Sequence, residues 1–283
     1  MTKGLKSPVC RIGGKGMLSG WLRQFIPEHV CYVEPFCGSA GLLFAKEPAR
    51  VEILNDCDNH LISFFNVLKN PEKRERLINS LENLPFSRRL WQEIRQHWKH
   101  CMYPSDEVLR SAWWFFLNRS CFGGDQRYGG FACPSISGRN PAKTFRNIVD
   151  SLEHIAGRLQ DVTIECLDYA ECIRRYDSEN TFFYIDAPYY GSEHYYGNSF
   201  TENDHYGLAE LLHGIKGKVM VSHCQNSLYD SLYGGFNCYY RQSFKGSYKS
   251  NNGVEKPKII ECVWLNYQPE SLFEGKKHEY KLY

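Results

Sequence analysis

The first third of the chain alternates short apolar runs with amphipathic segments. A strand, a glycine-rich turn and the start of a helix are predicted in CYVEPFCGSAGLLFAKE, residues 31–47. A second strand over Val51 to Leu54, an acidic turn and another helix follow in RVEILNDCDNHLISFFNVLKN. Strands that alternate with helices in this way are typical of a parallel α/β sheet.

The pattern changes between about residues 71 and 117, where polar stretches carry apolar residues at helical spacing. These apolar residues are Leu77, Leu81 and Leu84 and, further on, Trp91, Ile94 and Trp98. They predict helices and no strands. The glycine-rich stretch LNRSCFGGDQRYGGFACPSISGRN predicts a loop or a β-hairpin. Another helix is predicted from Lys143 to Leu159.

Strands return after this helical stretch. They are predicted in VTIECLDYAECI and NTFFYIDAPYYG, over 218–222 and over 259–267, with a helix from Glu202 to Leu212. The sequence therefore predicts one sheet domain that is interrupted by an insertion. The sheet domain is built from residues 1–66 and 160–283, and the mostly helical insertion covers residues 67–159.

The composition is that of an ordinary globular protein, with 42% hydrophobic and 23% charged residues. No apolar run approaches the ~20 residues that a membrane-spanning helix needs. The N-terminal stretch MTKGLKSPVCRIGGKG lacks the apolar core of a secretory signal. We therefore expect a cytoplasmic, monomeric protein without a membrane partner.

Charge is distributed unevenly along the chain. The net charge is +2, yet residues 67–160 hold 15 Lys or Arg and 9 Asp or Glu, which gives that region a net charge of +6. A basic middle region suits a polyanionic partner. It suits equally well a helical surface that is merely solvated.

The twelve cysteines fall singly and form no C-x-x-C pair. Structural zinc sites usually use such tight pairs, and disulfide scaffolds are usually short secreted chains. We therefore predict reduced cysteines that are mostly buried as small apolar side chains, and no metal site.

The turn PFCGSAG, residues 35–41, directly follows an apolar strand. Gly38 and Gly41 let the backbone approach a ligand without obstruction by a Cβ atom, as in glycine-rich nucleotide-binding turns. Asp56, near the end of the next strand, can accept hydrogen bonds from both ribose hydroxyls of an adenosine-containing cofactor. These features leave the choice between a dinucleotide and S-adenosylmethionine open.

The segment GGK, residues 13–15, bears on that choice. The turn at 35–41 lacks the G-x-G-x-x-G spacing that packs a helix N-terminus onto a pyrophosphate. S-adenosylmethionine has an amino-acid end instead, and flexible glycines such as Gly14 beside the cationic Lys15 suit its carboxylate. On its own, GGK is also typical of an ordinary loop.

The segment YIDAPYYG, residues 184–191, is the most informative one. An apolar strand ends at Asp186, and α/β sheets place their active sites at the carboxyl ends of strands. Pro188 restricts the backbone of Ala187 and so directs its carbonyl, while Tyr189 adds a flat ring. Two acceptors beside an aromatic face can bind an amino group on a planar base. The plainer interpretation is a turn that ends a strand.

The order of these segments resembles that of the α-group of adenine-N6 DNA methyltransferases, the Dam-like family. That family has GGK, then F-x-G-x-x-G, then an insertion and then D-P-P-Y, where this chain has RIGGKG, YVEPFCGSAG, the helical stretch and YIDAPYYG. Further similar blocks are ILNDCDNHLISFFNVLK, FFLNRSCFGG, SFTENDHYGLAELL, the strand that ends in Ser222, and KIIECVWLNY. The resemblance covers most of the chain.

The resemblance implies an α/β fold: a Rossmann-like S-adenosylmethionine-dependent methyltransferase sheet with an inserted, mostly helical target-recognition domain. It implies double-stranded DNA as partner, and transfer of a methyl group to N6 of an adenine that is flipped out of the duplex. The cofactor-binding residues that it implies are Gly14, Lys15, Pro35, Phe36, Gly38, Gly41, Asp56, Asp168 and Tyr169.

The catalytic residues that the resemblance implies are Asp186, Ala187, Pro188 and Tyr189. In such a site Tyr189 stacks on the adenine, while Asp186 and the carbonyl of residue 187 accept the N6 hydrogens. No metal and no covalent intermediate are needed. The chain departs from the family at Ala187, where proline is usual, so that the carbonyl is kept and local rigidity is lost.

Two basic stretches are expected to contact DNA. Arg119, Arg127, Tyr128 and Arg139 lie in the hairpin-like stretch, where Arg can read guanine and Tyr can wedge into the gap left by base flipping. Further basic residues lie in RQSFKGSYKSNNGVEKPK and are expected to contact phosphates. They are Lys245 and Lys249, with Arg241, Lys256 and Lys258 beside them.

Two alternatives remain open on the sequence. One is a methyltransferase that acts on cytosine N4 or on RNA, because the D-P-P-Y chemistry suits other planar amino groups. The other is a DNA-binding paralogue with the same fold whose catalysis is impaired by Ala187.

Overall fold

A single sheet forms the centre of the computed structural model, in which residues 5–11, 13–124, 129–191, 200–244 and 258–269 are described. Within those ranges the strands are β1 (Cys31–Glu34), β2 (Val51–Asn55), β3 (Val162–Glu165), β4 (Thr181–Ile185), β5 (Lys218–Cys224), β6 (Asn237–Phe244) and β7 (Lys258–Leu265). The seven strands lie in the order β3-β2-β1-β4-β5-β7-β6. An α/β fold with a central sheet is thereby confirmed.

The first five strands run parallel, and β7 is inserted antiparallel between β5 and β6. The chain leaves β1 toward β2 and β3 on one side and continues with β4 on the other side of β1. The space between the carboxyl ends of β1 and β4 is therefore the point where the strand order reverses. Open α/β sheets bind their ligands at such a switch point.

Helices cover both faces of the sheet. Among the described residues they are α1 (Ser19–Leu22), α2 (Gly41–Ala45), α3 (Asn59–Lys69), α4 (Pro71–Glu82), α5 (Arg88–Lys99), α6 (Glu107–Ser120), α7 (Pro141–Asp150), α8 (Leu152–Leu159), α9 (Tyr169–Tyr176), α10 (Glu202–Gly214) and α11 (Ser227–Leu232). Several begin at residues whose side chains cap the first turn. Asn70 and Asn140 each do so directly before a proline at the first helical position, where proline costs no hydrogen bond.

Successive residues of the central strands point into two separate cores, as the pleat of a sheet requires. Val33 and Phe183 belong to the core under α9, α10 and α11. Tyr32 and Phe182 belong to the larger core, which holds α1 to α8. Both faces of the strands are buried, which explains why their sequences read as continuous apolar runs.

The helices between β2 and β3 pack into the same core as the sheet. Phe64 of α3 stacks on Phe115 of α6, with ring centroids 4.8 Å apart. Arg158 of α8 reaches the sheet and donates two hydrogen bonds to Glu52 of β2, which also accepts one from Lys46. Burial opposes ionisation of Glu52, but these hydrogen bonds outweigh it and lower its pKa. A buried charge cluster therefore ties the last helix of this region to the sheet.

Two predicted elements differ from the structure. The helix predicted from Lys143 to Leu159 is two helices, α7 and α8, which meet at Ser151, where the side-chain hydroxyl bonds the carbonyl of Ile148. The strand predicted in VTIECLDYAECI stops at Glu165. The remainder forms α9, because Asp168 caps the next turn by accepting the N–H groups of Ala170 and Glu171.

Strand β6 was not predicted, and Arg241, which was expected in a loop, lies on it. The hydrophobic pattern of β6 is weak because Tyr239 is the only buried residue of this strand, as suits a strand at the edge of a sheet. Lys258 is the first residue of β7. Lys245, Lys249 and Lys256 lie outside the described residues.

The cysteines are all free thiols, but the expectation that they are mostly buried is wrong. Only Cys37, Cys121, Cys172 and Cys262 are buried, while Cys57, Cys101, Cys133 and Cys166 are exposed. In the part of the chain that the structure describes, no cluster of three or more His, Cys, Asp or Glu is arranged to hold a metal ion. None of the helices described there is both long and apolar enough to cross a membrane.

Candidate active site

Asp186 lies at the carboxyl end of β4, at the switch point of the sheet. One carboxylate oxygen, Oδ1, accepts a hydrogen bond from Lys15 Nζ at 2.6 Å and another from Ser222 Oγ at 3.1 Å. The Ser222 hydroxyl has a single hydrogen, so Tyr184, 3.1 Å away, is the donor in the contact between the two hydroxyls. Among the described residues both bonds fall on Oδ1, which leaves Oδ2 available to a ligand.

Lys15 is brought to Asp186 by a stretch that precedes the first strand. We call residues 7–11 and 13–15 the N-terminal segment. The Lys15 side chain is only 4% exposed, and its ammonium also lies 3.2 Å from the carbonyl oxygen of Gly13 and 4.5 Å from the centroid of the Tyr189 ring. Sequence reasoning expected Lys15 at a cofactor carboxylate, whereas the structure places its charge against a carboxylate of the protein. The cofactor contact stays a prediction.

We call residues 186–190 the carboxylate turn, and other strands hold its aromatic side. The Tyr189 hydroxyl donates to Glu261 Oε2 of β7 at 3.1 Å. Burial raises the pKa of Tyr189 well above its ordinary value, so the hydroxyl stays protonated as a donor. Burial also raises the pKa of Glu261. Ala187 is buried in the core under α9 to α11.

His223, at the end of β5, contacts this turn twice. Its ring stacks on Tyr189, with centroids 4.2 Å apart and planes 24° apart. Its Nε2 accepts the backbone N–H of Tyr190 at 2.8 Å. The sequence reading named neither His223 nor Glu261. The only signal available was their position on β5 and β7, the two strands that follow β4 in the sheet, and that depends on a strand order that no local pattern reveals.

We call residues 35–41 the glycine turn, and backbone groups hold it. The Gly38 N–H donates to Asp56 Oδ2 at 2.9 Å, and the Asp58 N–H donates to Asp56 Oδ1 at 2.9 Å. Burial raises the pKa of the Asp56 carboxyl. Gly38 has a φ of +46°, and Ala40 adopts a left-handed φ of +51°. Asp56 therefore shapes the turn that sequence reasoning expected it to accompany.

Asn55 joins the ends of three neighbouring strands, and sequence reasoning missed it. Its side-chain amide donates to the carbonyl oxygens of Pro35 and Leu167 at 2.9 Å and 3.1 Å, and its oxygen accepts the Leu167 N–H at 2.8 Å. The carboxyl ends of β1, β2 and β3 are thereby held together beside the glycine turn.

Aromatic side chains line the same end of the sheet. Phe36 stacks on Tyr169, with centroids 5.2 Å apart and planes 27° apart, and Phe200 meets the Phe36 ring edge-on at 5.7 Å. Asp168, which was expected to flank the cofactor's adenine, spends one carboxylate oxygen on capping α9. A carboxylate, a glycine backbone and flat aromatic surfaces thus lie together at the carboxyl ends of neighbouring strands. Such groups can bind an adenosine-type ligand.

Two further glycines of the predicted cofactor set pack against neighbouring backbone, and packing is tight only at Gly14. A Cβ atom on Gly14 would lie 3.0 Å from the carbonyl oxygen of Arg11. One on Gly41 would contact the backbone nitrogen of Gly16 at 3.6 Å, which is ordinary van der Waals contact. The N-terminal segment therefore lies directly on the glycine turn. Ser7 of the same segment donates to the carbonyl oxygen of Ser39 within that turn.

The predicted DNA-contacting residues fall into two groups. Arg119 of α6 and Arg139 are described: a guanidinium nitrogen of Arg119 lies 2.7 Å from Cys10 Sγ, and the Arg139 guanidinium lies 5.3 Å from the centroid of the Phe122 ring. Arg127, Tyr128, Lys245 and Lys249 lie outside the described residues. Arg88, which sequence reasoning missed, lies 5.0 Å from the Phe131 ring in the same region.

The N-terminal segment is also fastened to this basic region. The side-chain amide of Asn118, on α6, accepts the Cys10 N–H at 2.9 Å and donates to the Cys10 carbonyl oxygen at 2.7 Å. Gly124, with a φ of +75°, packs so closely that a Cβ atom there would lie 2.7 Å from Cys10 Cβ. One short segment therefore touches α6, the glycine turn and Asp186.

Comparisons with known proteins identify the family of the chain. The model of the family described as D12 class N6 adenine-specific DNA methyltransferase matches residues 12–246. A type II methyltransferase of Methanocaldococcus jannaschii is 27% identical over 90% of this chain and 96% of its own length. The DNA adenine methylase of Escherichia coli K12 is 28% identical over 94% and 96%, and that of Vibrio cholerae is 30% identical over 70% and 73%.

Proposed function

The chain belongs to the D12 class of N6 adenine-specific DNA methyltransferases, and from that premise we propose how its residues carry out the reaction. The methyl donor is S-adenosylmethionine, and the acceptor is N6 of an adenine that is rotated out of double-stranded DNA into the carboxylate turn. One observation carries the proposal: the Asp186 carboxylate at the switch point is held on one oxygen by Lys15 and Ser222, beside the Tyr189 ring.

The residues at the strand ends fit S-adenosylmethionine. Asp56 accepts two backbone N–H groups, and the remaining lone pairs of its oxygens suit the two ribose hydroxyls. Phe36 and Tyr169 offer a flat apolar surface to the adenine ring of the cofactor. Gly38 and its neighbours Pro35 and Phe36 border the methionine part. S-adenosylmethionine, when bound, supplies a methyl group on a positively charged sulfur, which is an electrophile.

Lys15 serves both substrates in this proposal. Its ammonium has three hydrogens, of which one points to Asp186 and one to the Gly13 carbonyl oxygen. The third is available to the carboxylate at the amino-acid end of the cofactor. The same side chain would thus set the position of the cofactor and of the catalytic carboxylate, which couples the two.

Asp186 and Ala187 orient the acceptor amino group. Oδ2 of Asp186 accepts one N6 hydrogen and the carbonyl of Ala187 accepts the other, which leaves the nitrogen lone pair directed at the methyl group. Holding the reacting atoms in such an orientation removes much of the entropic barrier. As the nitrogen–carbon bond forms and the carbon–sulfur bond breaks, both acceptors stabilise the positive charge on N6. N6 then loses a proton, for which Asp186 Oδ2 is the adjacent acceptor.

We propose that the helical stretch over 67–159 is the DNA target-recognition region. It carries the net charge of +6, which suits a polyanion. Arg139 and Arg88 lie over the aromatic rings of Phe122 and Phe131 on this stretch. Arginine planes supported by aromatic rings are ordered enough to contact phosphates or guanine edges.

The experiment incubates the protein with methyl-labelled S-adenosylmethionine and DNA from a methylation-deficient host, followed by nucleoside analysis. We expect the label in N6-methyladenine, and we expect D186N to lose it while still binding DNA. D161N is the matched control, because Asp161 is an exposed carboxylate that precedes β3, an edge strand separated from β4 by β2 and β1. Label in N4-methylcytosine, or an active D186N, would contradict the proposal.

A further inference from the structure

The carboxylate turn contains a weak point at Ala187. A proline ring would fix φ at that residue, whereas alanine leaves it free. Pro188 restricts only the other side of the residue. Both the 187 carbonyl and the Tyr189 ring must nevertheless hold one position for the proposed reaction. Residues that surround the turn therefore have to supply the rigidity that the local sequence lacks at Ala187.

Two consecutive residues of β5, Ser222 and His223, form hydrogen bonds with the two ends of the carboxylate turn. The strands β4 and β5 are parallel, with Ile185 opposite Val221. The residues that follow reach the turn from the side: Ser222 Oγ donates to Asp186 Oδ1, and His223 Nε2 accepts the Tyr190 N–H. Ala187 lies between these two fixed points.

The hydrogen bond from Tyr190 defines the protonation of His223. An Nε2 that accepts an N–H carries no hydrogen, so in the neutral ring the hydrogen is on Nδ1. Nδ1 lies 2.5 Å from the carbonyl oxygen of Cys224, to which it donates. Backbone groups thus contact both ring nitrogens, and Asn226 Nδ2 lies 3.0 Å from Nδ1, so that three neighbours fix the plane of the imidazole.

That plane sets the position of Tyr189. The His223 ring lies between Tyr189, at 4.2 Å, and Tyr229 of α11, at 3.9 Å. Tyr229 is 1% exposed, and its hydroxyl bonds His205 of α10 at 2.8 Å. A column of packed rings therefore runs from the core to the turn and covers one face of Tyr189.

We propose that His223 is a positioning residue for methyl transfer, which orients Tyr189 and the Ala187 carbonyl and replaces the rigidity of a proline at position 187. The inference rests on the proposed function, because it assigns His223 to the same site. His223 touches neither cofactor nor base in this proposal and acts through the carboxylate turn. Glu261 assists by accepting the Tyr189 hydroxyl at the far end of the ring.

Three variants separate the two contacts of His223. H223F keeps a ring for stacking and loses the acceptor, H223Q keeps an acceptor and loses the ring, and H223A loses both. We expect kcat to fall about 10- to 100-fold in H223A, and less in each of the others, because misplacement of reacting groups by an ångström costs that much. The Kd for S-adenosylmethionine should not change, since the glycine turn is held separately. H213A, which removes an exposed histidine in the last turn of α10, is the control.

Introducing a proline at position 187 tests the reason for the effect. The double variant A187P/H223A should have a kcat about tenfold above that of H223A, since one constraint replaces the other, and the single variant A187P is measured beside it. A purely structural role of His223 would change thermal stability without such rescue. If A187P does not rescue H223A, or if H223A matches the wild-type protein, the proposal is wrong.

Hydrogen exchange gives a readout that does not depend on activity. The Tyr190 amide should exchange faster in H223F than in the wild-type protein, and unchanged exchange would overturn the proposal even if H223A fails to fold. The wild-type protein serves as the reference in the methylation assay. Failure of the wild-type protein to label adenine would reject the proposed function, whereas equal labelling by the wild-type protein and the His223 variants would reject only the positioning role.

Discussion

The two turns that meet at the switch point are held in different ways. The glycine turn is fixed by neighbours in sequence: Asp56 accepts the Gly38 N–H, and Asn55 bonds the Pro35 carbonyl. The carboxylate turn is fixed by side chains from distant parts of the chain, of which Lys15 and Glu261 are the extremes. The glycine turn is thus a local structure, whereas the carboxylate turn is complete only when the whole sheet has assembled.

This difference indicates that the two turns contribute to different steps, binding and turnover. A turn shaped by backbone hydrogen bonds keeps its form whatever the rest of the site does, as a platform for a common cofactor should. A turn held by side chains from several elements responds to each of them, so that its geometry depends on the N-terminal segment, β5 and β7 at once. Substitutions should therefore affect binding on one side and turnover on the other.

The largest expected effect comes from K15M, which breaks the carboxylate turn from outside. It removes the partner of a carboxylate that is 21% exposed and leaves Oδ1 with Ser222 alone. We expect kcat to fall about 10²- to 10³-fold, as for other groups that hold charge in a preorganised site. Steady-state kinetics with labelled cofactor measures it. K6M, an exposed lysine of the same stretch, is the control and should keep full activity.

D56N should break the glycine turn instead. Asparagine keeps one acceptor and turns an N–H group toward a backbone N–H, so the turn opens and a ribose acceptor is lost. The Kd for S-adenosylmethionine should rise about 10- to 100-fold, the value of one or two hydrogen bonds to a charged group. Titration calorimetry gives the Kd, and kcat at saturating cofactor should stay close to that of the wild-type protein. E179Q, at an exposed carboxylate before β4, serves as the control. A fall in kcat without a change in Kd would erase the distinction between the turns.

The pH dependence of stability sharpens the comparison of the two turns. It involves Glu34, the last residue of β1, which directly precedes the glycine turn. Burial raises the pKa of Glu34 to about 7, and its Oε1 accepts the Tyr32 hydroxyl and the Leu43 N–H. The folded protein retains this proton at pH values where the unfolded chain has released it. Glu34 therefore favours the folded state below pH ~4.3, and this contribution is lost as the pH rises to about 7.

The loss amounts to at most about 4 kcal/mol. Urea unfolding at a series of pH values measures it. In E34Q the neutral amide keeps an acceptor and cannot ionise, so the decline in the free energy of unfolding between pH 5 and 8 should become smaller. An identical pH profile in E34Q would show that other groups cause the decline.

The smallest effect is expected where the N-terminal segment meets the basic region. Gly123 and Gly124 both have positive φ, at 69° and 75°, so alanine at either position costs about 1 kcal/mol of strain or slightly more. Only at Gly124 would the new Cβ press on Cys10. We expect G124A to lower kcat a few-fold further than G123A, because a displaced segment misplaces Lys15. Equal kcat values in the two variants would show that the segment does not transmit the displacement.

The sequence was informative where contacts are local. Gly38 and Asp56 are 18 residues apart, and the strand–turn–helix pattern around them was sufficient to predict that they belong together. The fold class followed from the same alternation of strands and helices. The partner of Asp186 could not be predicted in this way, because Lys15 is 171 residues away and its role depends on the path of a segment without regular structure.

His223 and Glu261 were missed for a related physical reason. Each is a polar residue in an apolar strand, and its value comes from the strand that lies beside it. The order β4-β5-β7 places both next to the carboxylate turn. Hydrophobic periodicity defines which residues are buried, but it does not define which strands become neighbours. Edge strand β6 was missed because its single buried residue, Tyr239, gives no alternating pattern.

The separation of Lys15 from Asp186 has a consequence during synthesis on the ribosome. The glycine turn can close as soon as β2 has been made, since its parts lie between residues 35 and 58. Lys15 is made 171 residues before Asp186, and it stays without this partner until β4 has been translated. Glu261 arrives later still. A polypeptide that is interrupted before β4 therefore has a formed glycine turn but lacks the carboxylate that we propose to bind the acceptor amino group.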